Sequence, residues 1–308
     1  MRAVVITRPG GVDVLDVAER PVRVPGPSEV RIAVKAAAVN PTDIGLREHG
    51  DQSDPPWIPG MDAAGTVESV GAEVRRVQVG DQVMAALTPR RPEGGAQAEL
   101  TVVPEASVVP IPAGATLTQA ATLPMNGLTA LLGLDLLGLR TGHTLAVSGG
   151  AGLLASYAIP LAARDGVRVI ADATPEDVEL VHGFGADYVI PRDDGFVAAV
   201  RDAAPNGVDA VLDTALLGTA AFGAIRDGGA IAVVRGWHGT EPERGIEVRQ
   251  IWVRNVLERT DWLEHLRALA GDGQLKLRVA GEYPPERAAD AHNAMSAGGL
   301  RGRAVIVF

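Results

Sequence analysis

The 308-residue chain contains no cysteine. This absence excludes disulfides, a catalytic thiol, thiolate zinc sites and cysteine-ligated iron–sulfur clusters. Lysine is nearly absent as well, because only Lys35 and Lys276 among the 28 basic residues are lysines. Chemistry that needs a lysine side chain therefore has two candidates.

Positive charge is also scarce, with 28 basic against 38 acidic residues and a net charge of −10. Nucleic-acid-binding proteins concentrate positive charge, so no nucleic acid partner is expected. The first residues read as a strand and turn without the apolar core of a signal peptide. Asp135 interrupts the most apolar helical stretch, so no membrane partner is expected. These features predict a cytoplasmic protein.

The pattern of apolar residues, prolines and glycines changes near Thr118. Before it, short runs of Val, Ile and Ala alternate with Pro and Gly, which predicts closely spaced strands and a partly closed β-barrel. The predicted strands are Met1–Thr7, Glu29–Val34, Gly65–Val70, Gln82–Ala85 and Ala98–Val103. After it, one helical stretch, Gln119–Leu137, precedes a regular alternation of strands and helices. That alternation predicts βαβ units and a doubly wound parallel sheet, an α/β fold.

The predicted elements of this second part are the strands Thr144–Val147, Val167–Ala171, Tyr188–Ile190, Ala210–Leu212 and Ala230–Val234, and the helices Gly152–Arg164, Glu176–Gly183, Phe196–Ala203 and Ala220–Arg226. The tail adds two helices, Asp261–Ala270 and Pro285–Met295, and a closing strand, Ala304–Phe308. We expect that strand to return to the amino-terminal sheet. The β domain is therefore predicted over 1–121 and 259–308, and the dinucleotide-binding domain over 122–258.

The strongest chemical motif lies where the strand Thr144–Val147 runs into Gly149-x-x-Gly152-x-x-Ala155 and a helix follows. Glycines there allow a tight turn and a close approach of backbone N–H groups to a pyrophosphate at the helix N-terminus. The strand–turn–helix context is what this otherwise weak motif requires. The alternative is a glycine-rich turn without a ligand. The predicted cofactor contacts of the turn are Ser148, Gly149, Gly150, Ala151, Gly152, Leu153 and Leu154.

The sequence leaves the choice of dinucleotide open. Asp172 lies twenty residues after Gly152 and ends the next strand, as an acidic residue that binds a ribose 2′-OH and selects NAD(H) would. Thr174 and Arg192 flank the same predicted adenosine pocket, and an arginine there can bind a 2′-phosphate. The alternatives are a helix cap for Asp172 and a solvated loop cation for Arg192.

Several reaction types lack their motifs. The chain has no Tyr-x-x-x-Lys, no G-x-S-x-G and no P-loop, and its six histidines show no metal-ligand spacing. Reducing a simple ketone creates a localised alkoxide, which needs a metal or a proton donor. A quinone or an enone spreads the charge over a conjugated system. The sequence therefore favours conjugated acceptors and predicts no metal.

The chain resembles the zinc-independent branch of the medium-chain dehydrogenase/reductase superfamily, the NADPH:quinone oxidoreductase-like (zeta-crystallin-like) proteins, over nearly its whole length. The motifs that carry the resemblance are Asn40-Pro-Thr-Asp43, Pro59-Gly-Met-Asp-Ala-Ala-Gly-Thr-Val67, Val79-Gly-Asp-Gln-Val83, Gly95-Ala-Gln-Ala-Glu99, Leu123-Pro-Met-Asn-Gly-Leu-Thr-Ala130, the Gly149 turn, Gly185-Ala-Asp187 and Gly299-Leu-Arg-Gly-Arg303. The resemblance implies a chaperonin-10-like β-barrel domain and a Rossmann domain, with the active site in the cleft between them. Zinc-dependent relatives have Cys where this chain has Asn40, and a His-Glu pair at Met61 and Asp62.

The resemblance also implies roles for individual residues. Asn40 and Thr129 are expected near the nicotinamide, and Asn126 in the cleft nearby. The segment Val234 to Gly236 is expected behind the nicotinamide ring, and Thr214 is a further expected cofactor contact. Asn40, Asn126 and Arg235 are the predicted catalytic residues. For Asn40 and Asp43, a plain turn ahead of a helix is the alternative.

Two departures from the family bear on cofactor and substrate. The Tyr that many quinone reductases carry after Asn-x-x-Asp falls near Gly45, which implies a wider pocket. The Lys that usually binds the 2′-phosphate is replaced near Asp177 or Val178, although Arg192 can compensate as a bidentate donor. The sequence thus predicts an NADPH-dependent homodimer that reduces quinones or enones, with NADH, an alcohol dehydrogenase and a non-catalytic NADP(H)-binding protein as alternatives.

Overall fold

A computed structural model describes residues 1–308. Its fifteen strands are β1 (Arg2–Ile6), β2 (Leu15–Glu19), β3 (Glu29–Ala38), β4 (Asp62–Val70), β5 (Gln82–Ala86), β6 (Leu100–Pro104), β7 (Val108–Pro110), β8 (Thr144–Ser148), β9 (Arg168–Ala173), β10 (Tyr188–Pro191), β11 (Val208–Asp213), β12 (Ile225–Val233), β13 (Glu247–Gln250), β14 (Val279–Tyr283) and β15 (Arg303–Val307). Its eight α-helices are α1 (Pro41–His49), α2 (Leu117–Ala120), α3 (Pro124–Leu137), α4 (Leu153–Arg164), α5 (Val178–His182), α6 (Phe196–Ala203), α7 (Thr260–Gly271) and α8 (Ala288–Ala297).

The chain divides into two compact units. Unit 1 comprises Met1–Met125 and Arg254–Phe308, and unit 2 comprises Asn126–Val253. Unit 1 holds a two-stranded β1-β2 ribbon and a seven-stranded sheet of order β14-β15-β3-β4-β5-β7, with β6 also paired to β3.

The central strand of unit 1 is β3, whose sequence EVRIAVKAAA alternates apolar and polar residues at the period of a strand. Its apolar side chains Val30, Ile32 and Val34 enter one core with Val67 of β4 and Val83 of β5. The closing strand β15 pairs antiparallel with β3, as the sequence predicts. Residues almost 270 positions apart therefore share one sheet.

Unit 2 is a six-stranded parallel sheet of order β10-β9-β8-β11-β12-β13. Numbered from β8, this is the 3-2-1-4-5-6 order of the Rossmann fold, and the strand order reverses between β8 and β11. Ligands of such sheets bind outside the carboxyl ends of the strands at that reversal. The predicted α/β fold class is confirmed.

Several elements differ from the sequence-based expectation. The predicted helix Gln119–Leu137 is two helices, because Pro124 has no N–H and begins a new one. The predicted helix Ala220–Arg226 is a 3-10 turn over Gly218–Ala224, after which β12 already begins. Four strands were not predicted, namely β2, β7, β13 and β14. Of these, β13 is a short polar segment without the apolar alternation of a strand.

The stretch Leu117–Leu137 is the one helical segment long and apolar enough to cross a membrane, and 67% of its most apolar window is buried inside the fold. Burial of this extent is typical of a core helix.

Candidate active site

The glycine-rich turn of unit 2 connects β8 to α4 at the strand reversal. Gly149 has a φ of +74°, a conformation that favours glycine, and a Cβ on it would lie 2.6 Å from the Thr214 hydroxyl. A Cβ on Gly150 would lie 2.5 Å from the carbonyl oxygen of Asp172. Gly152 is the N-cap of α4, so the first free N–H groups of that helix face the turn. The turn therefore has the shape and polarity of a pyrophosphate cradle.

Hydrogen bonds fix the two strands that flank the reversal. The Ser148 hydroxyl donates to the Asp213 carboxylate at 2.7 Å and accepts from the N–H of Ala215 at 3.0 Å. The Thr214 hydroxyl donates to the carbonyl of Ser148 at 2.5 Å. Asp213 also accepts from two backbone N–H groups, those of Leu217 and Gly218. Ser148 and Thr214 thus hold the carboxyl ends of β8 and β11 together.

Asp172 points back at the glycine turn. Its carboxylate accepts from the N–H of Gly150 at 2.9 Å and lies 3.3 Å from the Arg192 guanidinium. Burial raises the pKa of Asp172 above its ordinary value, against the hydrogen bond from Gly150 and the charge of Arg192. Arg192 is half exposed. The two residues that point to different dinucleotides therefore form one ion pair beside the cradle.

The other predicted cofactor residues of unit 2 are spread along its elements. The Thr174 hydroxyl donates to Asp177 at 2.8 Å, where β9 gives way to a short helical turn. Val234 to Gly236 follow β12 directly, and both Arg235 and Gly236 have positive φ values, 65° and 85°. Arg235 is exposed. Asn126 and Thr129 are buried on α3.

Asn40 of unit 1 belongs to a fully buried polar cluster. Its side-chain NH2 donates to the Asp62 carboxylate at 2.7 Å, and its side-chain carbonyl accepts from Arg303 Nε at 2.8 Å. The other oxygen of Asp62 accepts from the N–H of Met125 at 2.6 Å. Asp43 accepts from the backbone N–H groups of Asn40 and Gly60, each at 2.8 Å.

Both carboxylates of this cluster are fully buried, which opposes their ionisation. Burial raises the pKa of Asp62 to about 7, although the hydrogen bonds from Met125 and Asn40 favour its charged form. Burial likewise raises the pKa of Asp43 to about 6. The charge of Arg303 favours ionisation of both.

Asp62 and Arg303 were not among the sequence-predicted site residues. Asp62 carried one signal, its place beside the position of a catalytic ligand in zinc-dependent relatives. Arg303 carried only its place at the end of the family-like motif Gly299–Arg303, and nothing in the sequence linked it to Asn40, which lies 263 positions away. Only the return of β15 to the sheet brings them together.

The residues at the zinc-ligand positions of relatives form no ligand set here. Asn40 is engaged as described, and the Met61 thioether accepts from the Thr42 hydroxyl at 3.4 Å. No group of three or more His, Cys, Asp or Glu side chains is placed to hold a metal ion.

Two family descriptions match the chain. Residues 26–113 match the alcohol dehydrogenase GroES-like domain, which falls in unit 1. Residues 184–306 match the zinc-binding dehydrogenase family.

Among characterised proteins, the chain is 32% identical to an NADPH-dependent alkenal/one oxidoreductase of Arabidopsis thaliana and 30% identical to a 2-methylene-furan-3-one reductase of Solanum lycopersicum. Each comparison covers 99% of this chain and 79% of the relative.

Solved structures agree over the full length. A mycobacterial protein in complex with NADPH superimposes with a TM-score of 0.88 at 28% identity, covering 100% of both chains. A protein named as an NAD-dependent alcohol dehydrogenase gives 0.85 at 31% identity, again over 100% of both. From its GroES-like and Rossmann parts and its full-length relatives, the chain belongs to the medium-chain dehydrogenase/reductase superfamily, among its quinone oxidoreductase-like members.

Proposed function

We propose that this protein is an NADPH-dependent reductase that delivers a hydride to a quinone or to an α,β-unsaturated carbonyl compound. The carrying observation is the glycine cradle at the strand reversal, where a Cβ on Gly149 or Gly150 would collide with neighbouring atoms. Relatives with NADPH-dependent alkenal/one reductase and quinone oxidoreductase names support the same activity.

The cofactor supplies the hydride, and the chain binds and orients it. The proposed contacts to the pyrophosphate are the turn residues Ser148 to Leu154, chiefly through backbone N–H groups at the start of α4. Thr214 supports the turn from β11. For the nicotinamide end we propose Thr129 and the segment Val234 to Gly236. Thr174 is proposed at the adenosine.

Arg192 is the proposed ligand of the NADPH 2′-phosphate, because it is the half-exposed cation beside the cradle. Asp172 favours the second candidate, NADH, since a carboxylate at the end of β9 can accept from a ribose 2′-OH. We expect Arg192→Gln to lower kcat/KM for NADPH by roughly 10- to 100-fold, the loss of one charge-assisted contact, and to leave that for NADH unchanged. A wild-type preference for NADH that reverses in Asp172→Ser would identify NADH as the cofactor.

A cavity of about 390 Å³ in unit 1 is the proposed acceptor pocket. Its lining is mostly polar and includes the charged residues Arg91, Arg254 and Glu258, beside the apolar Leu87 and Leu257. One of its lining residues, Ala86 of β5, pairs with Asp62 of the neighbouring strand β4. The cavity therefore lies next to the strand that carries Asp62 of the Asn40 cluster. Its volume suits a small organic molecule.

The role proposed for the side chains in the reaction is to donate hydrogen bonds to the acceptor. Hydride arrival leaves a negative charge that the acceptor spreads over its conjugated system, so hydrogen-bond donors suffice to stabilise it. Asn40 is the proposed donor at the reacting centre, with Asn126 and Arg235 as further candidates. The protein mainly holds the reactants in position and excludes competing reactions.

We propose that the reaction is zinc-independent, because an amide and a thioether stand where zinc-dependent relatives have thiolate and imidazole ligands. Elemental analysis and turnover after chelation test this point. Stoichiometric zinc required for turnover would contradict it.

We also propose a cytoplasmic homodimer without a membrane partner, as the sequence predicts. Light scattering of the purified protein tests the dimer, since a monomeric mass would refute it.

The activity itself is tested by following NADPH absorbance with a panel of quinones, enones, alkenals and simple ketones. We expect turnover of conjugated acceptors and little of saturated ketones. Tight NADPH binding without oxidation by any acceptor would favour a non-catalytic NADP(H)-binding protein.

A further inference from the structure

The amide of Asn40 is held in one orientation by two partners of opposite character. Arg303 Nε can only donate, so the Asn40 oxygen must face it. The Asp62 carboxylate accepts, so the Asn40 NH2 must face Asp62. A flipped amide would place donor against donor and acceptor against acceptor. Because Asn40, Asp62 and Met125 N–H meet in a fully buried site, water cannot replace these bonds.

The Asp62 carboxyl group lies near the charge of Arg303, which favours its ionised form. It is buried completely, and each of its oxygens accepts from one N–H, the Asn40 amide on one side and the Met125 backbone on the other. Burying a carboxylate is costly unless donors compensate it. Burying this carboxylate therefore costs stability, and an apolar residue would avoid that cost.

We propose that Asp62 is a positioning residue that acts through Asn40 by fixing the orientation of its side-chain amide. The inference rests on the proposed function, in which Asn40 donates to the reacting centre. Asp62 does not touch the acceptor in this scheme. Its effect on turnover passes entirely through the Asn40 amide.

The first test is Asp62→Asn, assayed below its melting temperature. The new amide still accepts from Met125, but its own NH2 opposes that of Asn40, which Arg303 prevents from flipping. We expect kcat to fall at least tenfold while the dissociation constant for NADPH changes less than threefold. In an Asn40→Ala background the same substitution should cause no further loss of kcat. The control is Thr101→Val, at another buried position of unit 1, where the hydroxyl has no hydrogen-bond partner. This variant should keep wild-type kcat.

The second test exchanges the two side chains in the double variant Asn40→Asp and Asp62→Asn. Every hydrogen bond can then form again, with the carboxylate at 40 accepting from Arg303 and from the amide at 62. We expect the melting temperature to recover relative to Asp62→Asn, while kcat stays low because the donating amide at 40 is gone. Wild-type kcat in folded Asp62→Asn, or recovery of kcat in the exchange variant, would overturn the proposal.

The thermal part of this cycle needs no substrate. If the wild type reduces no acceptor, the proposed function fails, yet non-additive melting temperatures of the single and exchange variants still report whether Asp62 and Asn40 are coupled. Additive values would refute the coupling on which the proposal stands, whatever the activity.

Discussion

His292 offers a quantitative test of how the interior of unit 1 is built. The side chain is fully buried on α8, and neither ring nitrogen has a hydrogen-bond partner. Burial and the charge of Arg47 lower its pKa from 6.5 to about 3. The folded protein therefore keeps this imidazole neutral at pH values where the unfolded chain protonates it.

The sign follows from proton linkage. Below pH 6.5 the unfolded chain binds a proton at His292 that the folded chain does not. Lowering the pH therefore lowers the stability of the folded protein. Between pH 7.5 and pH 5 this costs about 2 kcal/mol for a pKa near 3. In a domain of this size 1 kcal/mol shifts the melting temperature by about 2–4 °C, which gives roughly 4–8 °C.

Asp43 and Asp62 act in the opposite direction. Their folded pKa values are raised, to about 6 and about 7, so the folded state binds more protons than the unfolded one between pH 7 and pH 4. Their contribution to stability rises as the pH falls through this window. The pH profile of the wild type alone therefore mixes both effects, and only the difference between a His292 variant and the wild type isolates the histidine.

The assay compares melting temperatures of the wild type and His292→Leu at pH 7.5 and pH 5. At pH 7.5 the variant should be at least as stable, because it removes two buried nitrogens without partners. At pH 5 its advantage should grow by the 4–8 °C derived above. The exposed His49, replaced by Gln, is the matched control in unit 1 and should reproduce the wild-type profile. A pH profile of His292→Leu parallel to that of the wild type would refute the reasoning.

Three further predictions concern the candidate site. Gly150→Ala should weaken NADPH binding at least tenfold in a fluorescence titration, because its Cβ would lie 2.5 Å from a backbone carbonyl; unchanged affinity would show that the turn is no cradle. Asp213→Ala should lower stability by about 2–4 kcal/mol, since it leaves three donors without their acceptor, and an unchanged melting temperature would contradict this. Asn40→Ala should reduce kcat at least tenfold with little change in NADPH affinity, and full turnover of every accepted quinone and enone would remove Asn40 from the reaction.

The sequence predicted the fold class and the glycine turn because both depend on short-range patterns. The alternation in β3 and the regular succession of strands and helices after Thr118 are readable within a few residues. The Gly149 turn needs only a strand before it and a helix after it. The 3-10 turn at Gly218–Ala224 was mistaken for a helix because its Ala-rich composition also suits an α-helix.

Tertiary structure decided what surrounds the predicted residues. Sequence spacing made Asp172 one candidate ligand of a ribose, and the fold shows that its carboxylate accepts from the N–H of Gly150 and pairs with Arg192. The partners of Asn40 come from β4 and from β15 at the far end of the chain. The type of a residue determines which hydrogen bonds its side chain can donate or accept. Its partners, however, come from strands that meet only when the sheet forms. The amino-acid sequence by itself therefore determined a Rossmann-type fold with a glycine turn, and only the tertiary structure determined the buried charges around Asn40.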